Sequence, residues 1–247
     1  MRGGVQYHID RFPHEVRTET RMDALQNWSP AALSELARPL YSDGSLLLRV
    51  LNRYRPYVCP FHELMKYVPQ GADVLDVGCG GGLALALLGA AGIIRSGIGF
   101  DTSVQAIDVA TRMAGKVPGV PLDFRRLDVG DPWPEGLFDC VLLVDVLHHV
   151  PVGAQKSVIE MAAAKVRPGG RLIYKDMAGD AGWRSWANRL HDLTLARQWI
   201  HYLPVENAVE WATRAGLTPE HSEDFTMLCY RHELRVFRRG MPARADT

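Results

Sequence analysis

A chain of 247 residues with 47% hydrophobic content can enclose a substantial core as one α/β domain with additions. Its 28 lysines and arginines balance 28 aspartates and glutamates, so no global field recruits a polyanion and nucleic acid is excluded as an expected partner. Cys59, Cys79, Cys140 and Cys229 contain no Cys-x-x-Cys pair, which suggests neither a zinc site, nor any other metal, nor a disulfide framework, and a reduced, cytoplasmic protein is expected. The N-terminus has no apolar run that would make a signal peptide, and no stretch approaches the ~20 apolar residues of a membrane span.

Residues 1–20 are polar and unpatterned and read as an arm. Ser29-Pro30 supplies an N-cap followed by proline at the first helical position, which predicts a helix through about Leu40. A second helical stretch is expected from Ser45 to Val68, kinked or broken at Pro56 and Pro60. Its middle, from Tyr54 to His62, is rich in aromatics. Both a packing brace and a lid over a pocket fit that composition. Residues 1–70 are therefore read as arm and helical cap, and 71–247 as the core of the same structural domain.

Val74-Leu75-Asp76-Val77 reads as a short buried strand, and Gly78-Cys79-Gly80-Gly81-Gly82 as a turn that brings bare backbone against a ligand. The apolar run from Leu83 then opens a helix, so this is the entry to a nucleotide-binding α/β unit. The dinucleotide fingerprint fails, because Leu83 stands where its third glycine belongs. Asp76 at the strand tip would repel a pyrophosphate but favour an ammonium. S-adenosylmethionine, which has no phosphate and carries an ammonium and a sulfonium, is the ligand that this charge selects.

The second strand, Ile93 to Phe100, ends at Asp101, where a carboxylate can accept from a ribose diol. Thr102 with Gln105 is expected to form a capping box for the next helix. Leu122 to Leu127 is the third strand, with Asp128-Val129 at its tip. Phe138 to Val144 is near-continuously apolar, a strand buried on both faces, and runs into Asp145-Val146-Leu147-His148-His149-Val150-Pro151. A helix over 152–166, a Pro168-Gly169-Gly170 stop and a fifth strand from Arg171 to Lys175 follow. Asp180 to Ala215 holds four of the six tryptophans, Trp183, Trp186, Trp199 and Trp211. Trp183, Trp186, Leu190 and Leu193 fall at helical spacing on one face, which suits core packing, a wide aromatic acceptor pocket or a basic amphipathic face for a carrier protein or lipid head. Leu217 to Thr226 and Met227 to Phe237 read as closing antiparallel strands.

Three of these segments, in this order, carry a resemblance: Asp76-x-Gly78-x-Gly80-x-Gly82, the Leu147-His148-His149 after the fourth strand, and Arg167-Pro168-Gly169-Gly170 before the fifth. Over roughly residues 71–176 the chain resembles the class I S-adenosylmethionine-dependent methyltransferases. The resemblance implies a Rossmann-like, doubly wound α/β sheet of about seven strands, mostly parallel with the last antiparallel. It also implies an N-terminal helical cap and a helical insertion, 181–216, as acceptor lid. The donor-binding set is then Asp76, Gly78, Cys79, Gly80, Gly82, Asp101, Thr102, Asp128, Val129 and Val144, with Asp128 toward the adenine amino group and Val129 against the ring. Four stretches, 52–61, 174–177, 187–202 and 232–238, are further similar to methyltransferases of bacterial aryl-polyene pigment pathways.

Methyl transfer from a sulfonium needs in-line placement and, for a phenol, a base. Adjacent residues cannot share one direction, so one of His148 and His149 is expected to face the pocket. His191, His201 and Tyr202 are held in reserve. The expected acceptor is a small molecule, either an aromatic or phenolic head group or a carrier-bound polyene- or polyketide-like intermediate. A lipid or quinone-like acceptor, and a donor-binding scaffold without turnover, remain open. An amino-methyltransferase of nucleic acid would carry Asn/Asp-Pro-Pro-aromatic after the fourth strand, which is absent. A metal-dependent catechol enzyme would have only Asp145 with Asp176 to build on.

Overall fold

The computed structural model describes residues 28–43, 46–178, 201–227 and 230–242. Helices α1 (Pro30–Leu40), α2 (Leu46–Val58) and α3 (Phe61–Leu64) precede β1 (Ala72–Val77), α4 (Leu83–Ala90), β2 (Ile94–Asp101), α5 (Val104–Ala114) and β3 (Leu122–Arg126). Then come β4 (Phe138–Val144), α6 (Val152–Lys165), β5 (Val166–Met177), α7 (Val205–Arg214), β6 (Leu217–Met227) and β7 (Tyr230–Arg239). Short 3-10 turns occupy Met65–Tyr67 and Leu147–His149.

The seven strands form one sheet in the order β3-β2-β1-β4-β5-β7-β6. β1 runs parallel to both β2 and β4, β4 parallel to β5, and β7 antiparallel to both β5 and β6, so β7 alone is reversed. Strand alternation divides the core in two. Val74, Cys140, Leu142 and Ile173 meet α1, α3, α4 and α5 on one face. Leu75, Val77, Val141, Leu143 and Tyr174 meet α6 and α7 on the other. The sheet is doubly wound, as expected, and the chain reverses its winding between β1 and β4, where open α/β sheets form their crevice.

Three local expectations are corrected. Pro56 does not end α2, since it lies in the last turn, where its missing N–H removes one ladder bond, and Cys59 N–H still donates to Arg55 O at 2.9 Å. Pro60 makes the break instead, and Glu63 and Leu64 N–H both donate to its carbonyl. The cap of α5 is Ser103 rather than Thr102: its Oγ accepts from Ala106 N–H at 3.2 Å. β5 starts at Val166 rather than Arg171, with Pro168-Gly169-Gly170 absorbed as an irregularity between the pairs Phe138↔Val166 and Cys140↔Arg171. Trp183, Trp186, Trp199 and His191 lie outside the described residues, and α7 is the part of the expected insertion that the structure describes.

Candidate active site

A cavity of about 640 Å³ opens at the carboxyl ends of β1 to β4. Asp76, at the tip of β1, faces it from an almost fully buried position. Burial, and then the charge of Asp101, push its carboxyl up to about 8. A carboxyl so strained by desolvation gains most from a cationic partner, and a ligand ammonium fits that need. Gly78 leaves β1 at φ 68°, and a Cβ there would sit 2.3 Å from Val146 Cγ2, so glycine lets this turn and the β4 loop touch. Gly82 works from behind, where a Cβ would meet Phe124 Cζ at 2.7 Å. It does not line the cavity, unlike Gly78, Cys79 and Gly80.

Asp101 ends β2 and ties the glycine turn to α5. Its Oδ2 accepts from Gly80 N–H at 2.9 Å and its Oδ1 from Ser103 N–H at 2.8 Å. Each oxygen keeps accepting capacity for a ribose hydroxyl. Thr102, Asp128, Val129 and Val144 also line the cavity. Trp133 Nε1–H donates to Val129 O at 3.0 Å while its ring meets Phe100 edge-on at 5.1 Å, which fixes the apolar side of this wall. Three carboxylates at the tips of successive strands, with apolar side chains between them, suit an ammonium, a diol and an amine on a largely apolar ligand. S-adenosylmethionine carries that set, so the residues fit the donor.

The two histidines diverge. His148 is buried, with Nδ1 paired to Asp176 and its backbone N–H donating to Asp176 Oδ2 at 3.3 Å. Burial opposes charging of this ring, but Asp176 outweighs it and the pKa rises. His149 is exposed and lines the cavity, its ring centroid 4.0 Å from that of His148. The ring partner of His148 is thus a buried carboxylate of β5, the strand beside β4, which no local pattern around the two histidines announces. His201 N–H donates to His148 O at 2.9 Å, and the Tyr202 ring lies 6.5 Å from the His148 ring, so both reserve residues stand behind the pair rather than on the cavity wall.

The larger omission is an ion cluster. Lys175, fully buried on β5, donates to Asp145 Oδ1 at 2.5 Å, and Arg55 of α2 reaches Asp145 Oδ2 at 3.3 Å. Burial raises the Asp145 carboxyl, but Lys175 and then Arg55 pull it well below the usual carboxylate range. Asp145 takes φ 55°, the one positive value at a non-glycine among the described residues, on the cavity rim. The signal was there in Ile173-Tyr174-Lys175-Asp176, where two charged residues continue a buried strand. Asp145 is held by Lys175 and Asp176 by His148, and Lys175 and Asp176, adjacent on β5, point to opposite faces of the sheet. Among the described residues no cluster of metal-ligating side chains occurs.

A profile of the methyltransferase domain family matches residues 51–222. Among curated relatives, a ubiquinone biosynthesis O-methyltransferase of Bordetella avium is 36% identical over 110 residues, 44% of each chain. Another of that name, from Xanthomonas axonopodis pv. citri, is 37% identical over 134 residues, covering 46% of this chain and 50% of its own length. The chain thus spans about half the length of the curated relatives it matches. Magnesium protoporphyrin IX methyltransferase from Synechocystis, solved with bound SAH, superposes with a TM-score of 0.62 at 18% identity, over 89% of this chain and 100% of that one. The N-methyltransferase NodS of Bradyrhizobium japonicum gives 0.56 at 18% identity, over 76% and 97%. None of these relatives extends the aryl-polyene resemblance. With the profile covering more than half the chain, a fold shared with solved methyltransferases, and a cavity whose residues fit the donor, this protein belongs to the methyltransferase domain family and takes S-adenosylmethionine as its cofactor.

Proposed function

We propose that the protein transfers the methyl group of S-adenosylmethionine to a hydroxyl of a small aromatic acceptor of the phenol or quinol class, with His149 as base. The observation that carries this reading is an exposed histidine on the wall of the cavity that holds the donor carboxylates. The donor, when bound, supplies an electrophilic methyl on a sulfonium. Asp76, Asp101 and Asp128 hold it at its three polar ends, and Val144, Val146 and Val150 keep water from the wall between them. His148, locked to Asp176, fixes the 3-10 turn from which His149 reaches the cavity. His149 draws the hydroxyl proton as the oxygen attacks, a contribution of ~10²–10⁴-fold, beside up to ~7–11 kcal/mol from positioning.

The names of the curated relatives support a hydroxyl on a quinone precursor, and a carrier-bound acceptor is the wider alternative. Asp145 serves the ion cluster and Asp176 serves His148, which weighs against a divalent cation as the group that activates the hydroxyl. The test is incubation with methyl-labelled donor and a panel of alkyl-substituted catechols, hydroquinones and carrier-bound hydroxyaryl thioesters, with products identified by mass spectrometry. Label should appear as an aryl methyl ether. His149→Gln should lower kcat by about 10²-fold or more and remove the acid limb of the rate profile, with S-adenosylhomocysteine affinity unchanged. Label on nitrogen or carbon, or a normal kcat in the variant, would overturn the reading. Donor binding without turnover on any acceptor would favour the scaffold instead.

A further inference from the structure

Helix α2 is polar where it meets the cavity and apolar where it meets water. Asn52 and Arg55 line the cavity. On another face, Leu46, Val50, Tyr54 and Tyr57 follow one another at i, i+4, i+8 and i+11, one continuous stripe. They are 75%, 43%, 54% and 38% exposed, and Leu51 beside them 45%. Four apolar residues in register, all facing solvent on one helix, are not the scattered surface leucines of an ordinary monomer.

The charges around the stripe select its occupant. α2 contains Arg49, Arg53 and Arg55 and no acid. Its packing partner α1 adds Arg38 and one acid, Glu35, which pairs with Arg53 at 3.0 Å and Arg38 at 3.4 Å. Asp43 in the turn between them is taken by Lys116 at 2.5 Å. The face is therefore apolar, aromatic and cationic at once. A second copy fits it poorly, because a two-fold contact would set these arginines against their equivalents. The stripe is also about 16 Å long and one helix, ~10 Å, wide, far below the ~800 Å² per partner of a stable protein interface. An interfacial helix needs no such area: it sinks its apolar face ~5–10 Å into the headgroup boundary, with arginines and tyrosine hydroxyls at the level of the headgroups.

We propose that α2 docks the protein on an anionic lipid surface through Leu46, Val50, Tyr54 and Tyr57, with Arg49 and Arg53 against the headgroups. The cavity wall then stands at the membrane, so that an amphiphilic acceptor reaches it without crossing water. Docking is measured without turnover and stands apart from the acceptor reading.

The test is co-sedimentation of the full chain with vesicles of phosphatidylcholine alone or with phosphatidylglycerol. The wild type should bind the anionic vesicles, and binding should fall as salt rises. Leu46→Gln/Val50→Gln/Tyr54→Gln should weaken it at least tenfold, with the melting temperature and S-adenosylhomocysteine affinity unchanged. Arg49→Gln/Arg53→Gln should cost about fivefold per arginine on anionic vesicles and nothing on neutral ones. Failure of the wild type to bind either vesicle overturns the proposal. So does a triple variant that binds normally, a wild-type dimer that the triple variant dissociates, or a triple variant that loses several degrees of melting temperature because the chain itself covers the stripe. Should the triple variant not fold, the arginine pair decides alone: unchanged anionic binding there is equally fatal.

Discussion

Asp76 is a buried acid whose carboxyl is pushed by burial, and then by Asp101, up to about 8, well above an ordinary aspartate. The folded chain therefore holds a proton that the unfolded chain has released. The stability tied to that proton is complete below about pH 4 and is lost as pH rises through about 8. Donor binding requires the opposite state, since an ammonium pairs with the carboxylate and not with the acid. Affinity should thus rise with pH up to about 8, and binding near neutrality should release a proton, visible as a buffer-dependent calorimetric heat. Asp76→Asn should melt higher than the wild type at pH 8 and bind S-adenosylhomocysteine at least tenfold more weakly. Unfolding curves at pH 6 and 8 and one titration check both halves, and an Asn variant with full affinity would remove the ammonium role. That Asp76 mattered was legible from its place before the glycines. That it sits almost fully buried beside Asp101 was not, because the second acid comes from a strand 25 residues on.

At the scale of elements, the helical cap and the core meet over the ligand cavity. Tyr41, at the end of α1, donates its hydroxyl to Gly81 O at 2.8 Å, and Arg55 of α2 reaches Asp145. Burial, then the nearby Cys79 and Asp76, keep the Tyr41 phenol un-ionised at any working pH, so it remains a donor. Tyr41→Phe should cost ~0.5–1.5 kcal/mol of stability and speed donor release, which stopped-flow displacement of a fluorescent donor analogue would read; an unaltered off-rate would leave the cap as a brace. Helix starts and strand cores were legible here because Ser29-Pro30 and the apolar run of 138–144 act locally. Thr102 misled because Ser103 beside it is an equally good cap, and only the hydrogen bond to Ala106 decides between them. The Arg55–Asp145–Lys175 cluster joins three segments up to 120 residues apart, and no local pattern encodes such a meeting.

For the molecule as a whole, ligand binding and folding are one equilibrium. S-adenosylhomocysteine at 100 times its dissociation constant adds ~2.7 kcal/mol, which for a chain of this size raises the melting temperature by about 5–11 °C. NAD should give no shift, since Leu83 stands where a dinucleotide-binding turn needs its third glycine; a shift with NAD and none with S-adenosylhomocysteine would contradict the donor assignment. The sheet itself has an order in time. β7 lies between β5 and β6, yet it is the last of the described strands to be synthesised. Until it is made, β6 has no neighbour, and the buried Leu234, Val236 and Phe237 are missing from both faces of the core. The donor half, β1 to β4, closes on earlier residues alone. A nascent chain can therefore assemble its ligand cradle before it has a finished sheet, and a ribosome that stalls before β7 would leave a chain with a formed cradle and an open flank.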